Sequence, residues 1–354
     1  MKKRIIALHT SMEDEQMDGY LIADETNMFY FTRFLGAARL LVPLDRENML
    51  YVYRVNYEDA SETAKNCQVE LLKPGENADE KVAEQMKKLR LKRLGFDALD
   101  VLSFSKLRKS LKGENLKPHG QMIWELRKIK DEIEIGYIRK AAELSDLGAQ
   151  TLVEIITPGM REYEVAAEVE YSMRKSGSEG TAFDTIVASG LRSSYPHGGC
   201  TSKKIGKGEL IQFDVGATYQ GYKADLTRTF LIGKPTSKQE KIYEAVKEAQ
   251  QKAFQEIQDG AKANQVDAAA RDVISNWGFD EYFVHGLGHG VGLDIHEPPT
   301  LNSISKDILK TGNVVTDEPG IYIMGYGGIR IEDTVLVNRD KAERLTKANY
   351  ELTL

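Results

Sequence analysis

The chain has 354 residues, of which 41% are hydrophobic and 29% are charged, so it is long and apolar enough to form about two domains. Its formal net charge of -6 excludes the strongly basic surface on which nucleic-acid binding depends. The two cysteines, Cys67 and Cys200, form no CxxC motif and indicate neither a disulfide framework nor a thiolate metal site. No apolar run reaches the length of a membrane span, and we expect a cytoplasmic protein without nucleic-acid or membrane partners.

Residues 1–120 are predicted to form an α/β domain. Helical patterns at about residues 57–65 and 78–92 separate short apolar runs that are typical of strands. These strand-like runs cover residues 19–23, 29–34, 40–42, 49–55 and 93–97. The polar segment 112–120 contains two glycines and one proline, and it is predicted to be the domain boundary.

Residues 121–354 are predicted to form an α+β domain in which helices precede strands twice. The predicted helices cover about residues 131–156, 161–175, 237–258 and 265–277, and the predicted strands cover residues 210–215, 224–232, 314–316 and 329–337. A capping box at Ser237–Glu240 is predicted to open the third helix.

The two halves of this domain match each other at a nearly constant offset. Gly159 and Gly260, which follow equivalent helices, lie 101 positions apart. The segments 208–216 and 312–320 match at an offset of 104, and each carries a glycine, an apolar strand, an acid and a second glycine. We infer an internal duplication with pseudo-twofold symmetry, because a solenoid would need at least three repeats.

The first half contains two acids that a hairpin would bring face to face. Asp214 and Asp225 flank a turn that we expect to be centred between Tyr219 and Gln220, which would place the two carboxylates directly opposite each other. Any single acid on a hairpin is more often exposed to solvent. The surrounding strands are apolar, however, which argues against a solvated face.

The second half repeats the arrangement with Glu318 and Glu332, which are related in the same way about Gly325. Like charges about 5 Å apart repel by roughly 3 kcal/mol at an effective dielectric constant of 20, so four clustered carboxylates would oppose folding without cations. Two divalent cations would neutralise four carboxylates. The sequence therefore predicts a dinuclear metal site.

A histidine-rich segment, residues 283–297, offers a fifth ligand. It holds three of the six histidines of the chain, interleaved with four glycines, and His289 is the candidate ligand. Oxygen ligands with one imidazole suit Mn²⁺, Co²⁺, Fe²⁺ or Zn²⁺. His197, in a Ser-Tyr-Pro-His-Gly-Gly segment, is a further candidate, whereas His9 and His119 are expected to be solvated loop residues.

These motifs resemble those of metallopeptidases with the pita-bread fold, and within them the Xaa-Pro dipeptidase (prolidase) and aminopeptidase P group. They occur in the order of that family, at residues 196–197, 213–216, 224–230, 285–296, 316–322 and 330–334. The resemblance implies a pita-bread catalytic domain at residues 121–354 and a creatinase-N-like domain at residues 1–120.

The resemblance also implies the role of each site residue. Two divalent metal ions per chain, Mn²⁺ or Co²⁺ before Zn²⁺ or Fe²⁺, would be held by Asp214, Asp225, His289, Glu318 and Glu332. Catalytic and substrate-binding roles would belong to His197, His285, His296, Glu318, Tyr322 and Arg330. The implied reaction is hydrolysis of the peptide bond before proline in small peptides, with Glu318 relaying a proton to the leaving nitrogen, and the implied assembly is a homodimer. Asp317 stands where the family commonly has an apolar residue, and we expect it to alter the metal preference.

An Xaa-Pro dipeptidase is the first functional prediction, and an aminopeptidase P that acts on longer peptides is the second. A strict dipeptidase needs a cation for the terminal carboxylate of its substrate. Prolidases often carry an arginine where this chain has Thr300, which leaves Arg192 or a residue of a dimer partner to supply the charge. A non-catalytic binding module is the remote alternative, because such a module has no reason to keep a repulsive cluster of acids.

Overall fold

The computed structural model of the protein describes residues 2–111 and 115–354. The chain divides into two compact units, Met1–Arg127 and Lys128–Leu354. The domain boundary expected near residue 120 stays a prediction. Within the polar segment that suggested it, residues 112–114 lie outside the described residues and Asn115–Pro118 forms a strand. Across the described ranges, no helix is both long and apolar enough to cross a bilayer.

The first unit is a mixed six-stranded sheet with helices, in agreement with the predicted α/β class. Its strands are β1 (Gly19–Ile22), β2 (Arg39–Pro43), β3 (Met49–Tyr53), β4 (Gln68–Leu72), β5 (Arg93–Phe96) and β6 (Asn115–Pro118), in the order β4-β3-β2-β1-β5-β6. Its helices are α1 (Lys2–Asp14), α2 (Glu25–Thr32), α3 (Arg54–Thr63), α4 (Ala78–Lys88), α5 (Val101–Leu111) and α6 (Gly120–Lys128), which ends at the unit boundary.

One predicted strand of this unit is wrong. The apolar run at residues 29–34 lies mostly in α2, which begins after Asp24, whose side chain accepts a 2.9 Å hydrogen bond from Asn27 N. Every residue from Asn27 to Thr32 is buried, so the helix shows no polar face. A short apolar run that is buried on all sides has no periodicity that separates helix from strand.

The second unit contains the duplicated elements. Its helices are α7 (Glu132–Ile155), α8 (Glu162–Lys175), α9 (Ser237–Glu256) and α10 (Ala263–Asn276), with single 3₁₀ turns at Gly190–Ser194 and Asp280–Tyr282. The strands of the first half are β7 (Gly180–Thr181), β8 (Ile186–Ser189), β9 (Leu210–Val215), β10 (Ala217–Tyr219), β11 (Tyr222–Lys223) and β12 (Leu226–Leu231). Those of the second half are β13 (Gly288–Gly290), β14 (Glu297–Leu301), β15 (Val314–Asp317), β16 (Gly320–Ile323), β17 (Gly327–Arg330), β18 (Asp333–Leu336) and β19 (Glu343–Arg344).

The two halves have the same strand order, as the duplication predicts. In the first half, β9 lies between β12 and β8, and in the second half β15 lies between β18 and β13. Each half buries its own apolar cluster, which includes Val165 and Phe213 in the first and Val266 and Val315 in the second. The pair of helices in each half therefore packs against the sheet of that half.

Two local predictions in this unit need correction. The capping box of α9 begins one residue earlier than expected, because Thr236 N donates to Gln239 Oε1 at 2.8 Å and Gln239 N donates to Thr236 Oγ1 at 3.3 Å. The predicted strand at residues 329–337 is interrupted at residues 331–332, so β17 and β18 belong to different sheets.

The first hairpin is shifted by two residues from its predicted register. Asp214 lies opposite Thr227 rather than Asp225, because the turn is formed by Gln220 and Gly221. Both turn residues have positive φ angles, 51° and 78°, and two-residue hairpin turns of this kind favour glycine. A shift of two residues keeps each side chain on the same face of the sheet, so both acids still face the same side.

The second hairpin has the predicted register. Gly320 pairs with Arg330 and Ile323 pairs with Gly327, which centres the turn on Gly325 as expected.

Candidate active site

A pocket of about 570 Å³ in the second unit is lined by residues from both halves. All five predicted metal ligands line it: Asp214, Asp225, His289, Glu318 and Glu332. Four further predicted site residues also line it: His197, His285, His296 and Arg330. Tyr322 lies behind the pocket, where it contacts His285 and Arg330.

The five candidate ligands come from strands or from breaks between strands. Asp214 lies in β9 and His289 in β13, whereas Asp225 directly precedes β12. Glu318 and Glu332 lie in the short gaps between β15 and β16 and between β17 and β18. These gaps flank the hairpin of β16 and β17, so one glutamate lies just before the hairpin and the other just after it.

Close backbone packing sets the position of His289. A Cβ atom at Gly288 would lie 2.2 Å from Thr316 O, and one at Gly290 would lie 2.4 Å from Pro298 O. These two glycines therefore allow the neighbouring strands to pack closely, in addition to any room that they leave for substrate. The Nδ1 atom of His289 lies 3.0 Å from Gly290 O and donates to it, which leaves Nε2 free to act as a ligand.

The imidazole of His289 faces two of the acids. Its Nε2 atom lies 3.3 Å from Glu318 Oε1 and 3.8 Å from Asp225 Oδ2. Ligand atoms of Asp225, His289 and Glu332 all lie within 4.8 Å of one another. This spacing suits coordination of a common cation.

Buried carboxylate oxygens without hydrogen-bond partners give an independent test of whether the site fits metal ions. Asp214 Oδ1, Asp225 Oδ1 and Glu332 Oε1 are buried and have no hydrogen-bond partner. A buried carboxylate oxygen without a partner is unfavourable by about 1–3 kcal/mol or more. Several such atoms around one pocket, with an imidazole nitrogen beside them, form a donor set that fits divalent cations.

The second carboxylate oxygens of Asp214 and Glu332 are held by neighbouring side chains. Arg330 Nη2 donates to Asp214 Oδ2 at 2.6 Å, and Thr227 Oγ1 donates to Glu332 Oε2 at 2.6 Å. Hydrogen bonds of this kind orient metal-binding carboxylates. Asp214 and Glu332 therefore each have one oxygen that is fixed and one that is left for a ligand position.

The sequence interpretation missed two threonines that take part in this network. Thr227 holds Glu332, and Thr316 Oγ1 donates to Glu318 Oε1 at 3.0 Å while it accepts from His289 N at 3.0 Å. For Thr316 the spacing in the sequence could have indicated this role. Thr316 lies two positions before Glu318 in an extended segment, so the two side chains share one face.

Burial and crowding disturb the charge state of the acids. Burial, with repulsion from neighbouring carboxylates, raises the pKa values of Asp225 and Glu332 well above the usual range. Burial also raises the pKa of Asp214, although Arg330 opposes the shift. Protonation of these acids is therefore easier than that of exposed carboxylates, and a bound divalent cation would compete with protons for the same oxygen atoms.

Glu318 and His289 form an ion pair within the cluster. Burial alone would raise the pKa of Glu318 and lower that of His289, but their mutual hydrogen bond and charges reverse both shifts. The pKa of Glu318 falls to about 2, and the pKa of His289 rises to about 9. Glu318 is therefore ionised at neutral pH.

A hydrogen-bonded chain runs from Arg330 to His285. Arg330 Nη1 donates to Tyr322 Oη at 2.7 Å, and Tyr322 donates to His285 Nε2 at 3.0 Å. The Nδ1 atom of His285 donates to Gly286 O at 2.7 Å. Burial lowers the pKa of His285 and raises that of Tyr322 to about 12, so both groups are neutral.

His296 lies against the candidate ligand without being part of the acid cluster. Its ring centroid is 4.3 Å from that of His289, and the two planes are nearly perpendicular. Burial and the charge of His289 lower the pKa of His296. The fourth histidine that lines the pocket, His197, lies in the loop after the first 3₁₀ turn and is exposed.

Two residues that the sequence singled out do not line the pocket. Asp317 is fully buried, neither of its carboxylate oxygens has a hydrogen-bond partner, and burial raises its pKa well above the usual range. Arg192 Nε donates to the carboxylate of Glu162 at 3.1 Å, and Arg192 Nη2 donates to two backbone carbonyls. The suggestion that Arg192 supplies a charge for the substrate therefore finds no support in its position.

Comparison with known proteins places this site in a family. Residues 136–339 match metallopeptidase family M24, and residues 4–129 match the creatinase/prolidase N-terminal domain. The chain belongs to metallopeptidase family M24. Membership of M24 implies divalent metal ions, in agreement with the donor set of the pocket.

Similar proteins cover the whole chain. The Xaa-Pro dipeptidase of Pyrococcus furiosus is 42% identical over 99% of this chain and 100% of its own length. The structure of an Xaa-Pro dipeptidase from Bacillus anthracis has a TM-score of 0.95 and 37% identity, over 100% of this chain and 99% of that chain. The structure of an X-Pro aminopeptidase from Thermotoga maritima has a TM-score of 0.90 and 32% identity, over 97% of this chain and 100% of that chain. The predicted pita-bread fold and the predicted metallopeptidase class of this M24 chain are thereby confirmed.

Proposed function

We propose that this M24 peptidase is an Xaa-Pro dipeptidase that uses two divalent cations per chain, Mn²⁺ or Co²⁺ before Zn²⁺ or Fe²⁺. The observation that carries the proposal is the group of buried carboxylate oxygens without partners, which surrounds His289 in a pocket of about 570 Å³. Relatives named Xaa-Pro dipeptidase at 42% and 41% identity support the choice of substrate.

The proposed ligands come from both halves of the unit. Asp214 and Asp225 come from the first half, and His289, Glu318 and Glu332 come from the second. The chemistry that such ions supply when bound is polarisation of a carbonyl and activation of a water at neutral pH. The orienting hydrogen bonds from Arg330 and Thr227 keep the ligand oxygens in place for that purpose.

The remaining proposed roles follow from charge and position. We assign to Glu318 the relay of a proton from water to the leaving nitrogen, because its carboxylate lines the pocket beside His289. His296 and His197 line the pocket and can donate hydrogen bonds to the reacting carbonyl and to the substrate backbone. The neutral Tyr322 hydroxyl, which accepts from Arg330, donates to His285 and holds it in one tautomer. Proline after the scissile bond brings no backbone N–H that the pocket must satisfy.

An Xaa-Pro aminopeptidase that acts on longer peptides is the second candidate. Among the described residues that line the pocket, Arg330 is the one lysine or arginine, and it is engaged by Asp214 and Tyr322. A pocket without an available cation gives no charge-assisted preference for a terminal carboxylate. The similarity to the X-Pro aminopeptidase of Thermotoga maritima, at 32% identity, is compatible with this candidate.

Small peptides with proline in the second position are the proposed substrates. A homodimer, which rests on the resemblance described above, and a cytoplasmic location, which rests on the cysteine content and the short apolar runs of the sequence, complete the proposal. The roles of the individual site residues are part of the same proposal.

The experiment is a peptide panel with the purified full-length protein. Xaa-Pro dipeptides, longer peptides that begin Xaa-Pro and matched peptides without proline are tested with added Mn²⁺, Co²⁺ or Zn²⁺. We expect hydrolysis confined to bonds before proline, and we expect both a chelator and Asp225→Asn to abolish it. Hydrolysis that does not depend on proline, or full activity in metal-stripped protein, would refute the proposal.

A further inference from the structure

A fully buried glutamate, Glu162, fixes both ends of the segment that carries His197. Glu162 begins α8 and accepts hydrogen bonds from the N and Oγ atoms of Ser189, both at 2.8 Å. It also accepts from the N atom of Thr201 at 3.0 Å and from its Oγ1 atom at 2.6 Å. Both ends of the intervening segment, residues 189–201, are thus bound to one carboxylate.

Arg192 connects this carboxylate to the backbone beside the histidine. Its Nε atom donates to Glu162 Oε2 at 3.1 Å. Its Nη2 atom donates to the carbonyl oxygens of Gly198 and Gly199, the two residues that follow His197. One planar guanidinium therefore spans the distance from helix α8 to the loop of the histidine.

The second half contains a corresponding pair, Asp267 and Arg271, one turn apart in α10. Asp267 is fully buried and accepts from Arg271 Nε at 2.7 Å and from Leu287 N at 3.0 Å. Arg271 Nη1 donates to Phe283 O at 3.1 Å, and its Nη2 atom donates to His285 O. The guanidinium also lies over the ring of Phe283, 4.3 Å from its centroid. This arginine thus binds the backbone of a second pocket histidine.

We propose that the pairs Glu162–Arg192 and Asp267–Arg271 are positioning residues, each of which holds one pocket histidine, His197 or His285, in its working position. The inference rests on the proposed function, because its kinetic test measures Xaa-Pro hydrolysis. Neither arginine lines the pocket, so each acts through the backbone of its loop and not on the substrate.

The chemistry of the two partners explains the choice of residues. An arginine has five donors in a fixed plane, so it can bind a carboxylate with one edge and carbonyl oxygens with another. A lysine has a single charged nitrogen on a flexible stem and cannot reproduce this geometry. The buried acid on a helix supplies the fixed point, because its position is set by the core and not by the loop.

The first test is the substitution Arg192→Gln in the full-length metal-loaded protein. A small displacement of a group that contacts the reacting substrate typically costs about 100-fold in rate. We expect kcat for an Xaa-Pro dipeptide to fall about 10- to 100-fold, with two metal ions still bound. The matched control is Arg139→Gln, because Arg139 also pairs with an acid, Glu343, but contacts no pocket loop.

A crossed set of double variants separates positioning from a general loss of structure. If Arg192 acts through His197, then Arg192→Gln has no further effect in the His197→Ala background but keeps its full effect in the His285→Ala background. Arg271→Gln is expected to show the opposite dependence. Equal effects of each arginine variant in both histidine backgrounds would overturn the inference.

A second readout does not require activity. In Zn²⁺-loaded protein with ¹³C-labelled histidine, we expect Arg192→Gln to shift the ring signals of His197 and to leave those of His285 unchanged. The variant Arg192→Lys, which keeps the charge, provides the same comparison if the glutamine variant does not fold, and it is expected to shift the same signals. Absence of Xaa-Pro hydrolysis in the wild-type protein would refute the proposed function but not the positioning role. Unshifted His197 signals in the Arg192 variants would refute the positioning role.

Discussion

Thr227 Oγ1 donates a 2.6 Å hydrogen bond to Glu332 Oε2, and Glu332 N donates to Thr227 O at 3.0 Å. Thr227 belongs to the first half of the duplicated unit and Glu332 to the second, so the position of Glu332 depends on the opposite half. The converse contact exists as well, because Asp225 N donates to Thr334 Oγ1 at 2.9 Å and Thr334 Oγ1 donates to Asp225 O at 2.8 Å. The interface between the halves is thus built into the site.

The variant Thr227→Val tests this coupling. Removal of the hydroxyl leaves Glu332 Oε2 without its donor, and loss of such an orienting contact typically weakens metal binding 10- to 100-fold. We expect the Mn²⁺ concentration needed for half-maximal activity to rise by that factor. The control is Thr218→Val, because the Thr218 hydroxyl donates to Thr181 O away from the pocket. Equal metal requirements for the two variants would contradict the coupling.

Removal of metal is expected to destabilise the protein, and more so at higher pH. Asp225 and Glu332 have pKa values raised well above 3.8 and 4.5, so their contribution to stability is present at low pH and is lost as the pH rises through the native pKa values. Bound cations replace the protons, so metal-loaded protein should not show this loss.

Thermal unfolding of chelated and Mn²⁺-loaded protein between pH 5 and pH 8 measures the effect. The increase in melting temperature on metal loading should grow with pH. A melting temperature that metal leaves unchanged at every pH would show that the acids are not a metal-binding cluster.

The histidines of the 283–297 segment are predicted to respond differently to substitution. His289→Ala should lose metal, because His289 Nε2 faces Glu318 and Asp225 within 4 Å. His296→Ala should keep its metal but lower kcat by at least 100-fold, because we assign this side chain to the reacting carbonyl. The metal content of the two purified variants measures this difference. Metal loss in His296→Ala and metal retention in His289→Ala would show that the two roles have been exchanged.

The candidate ligands were predictable from the sequence because acids in apolar strands are rare and strand pairing relates them by simple arithmetic. Glu318 and Glu332 lie in the register that symmetry about Gly325 predicts. The register of Asp214 was wrong by two residues, because the turn forms at Gln220–Gly221, where a positive φ is required at both positions.

Other features depend on tertiary contacts that no local pattern reveals. The apolar run at residues 29–34 is helical because Asp24 caps it and the surrounding unit buries it on every side. Arg192 was considered as a contact for the substrate, but the carboxylate of Glu162, 30 positions away, binds it. Long-range pairs of this kind follow from the tertiary structure and not from spacing in the sequence.

Asp317 gives a prediction about stability. It is fully buried without a hydrogen-bond partner, whereas Asp333, opposite it in the sheet, accepts from Arg228, Gln250 and Thr346. Replacement by a residue that needs no partner removes a penalty of about 1–3 kcal/mol. We therefore expect Asp317→Val to raise the free energy of unfolding at pH 7 by that amount, with unchanged metal content.

The pH dependence and a matched variant sharpen this test. Burial raises the pKa of Asp317 well above 3.8, so the stability that its protonated form provides is lost as the pH rises, and the advantage of Asp317→Val should grow with pH. Asp333→Asn should have the opposite effect and lower stability by about 3–5 kcal/mol, because it leaves buried Arg228 without its charged partner. Denaturant unfolding of both variants measures the two changes, and a destabilised Asp317→Val protein would argue for an unrecognised partner.

The preference for substrate length is the last prediction. In the described part of the chain, the pocket lining offers Thr300, Asn302 and one arginine, Arg330, which is bound by Asp214 and Tyr322. A hydroxyl or an amide can donate a hydrogen bond to a terminal carboxylate but brings no charge, and a charge-assisted hydrogen bond is roughly twice as strong as a neutral one. We therefore expect an Xaa-Pro dipeptide to be the better substrate by less than about 10-fold in kcat/KM over the same peptide with an amidated C-terminus.

Thr300→Arg should widen this ratio by favouring the free carboxylate, and Thr300→Ser, which keeps the hydroxyl, is the matched control. A large preference for the free dipeptide in the wild-type protein would require a cation from outside these lining residues, whereas equal rates would move the assignment to an aminopeptidase that acts on longer peptides.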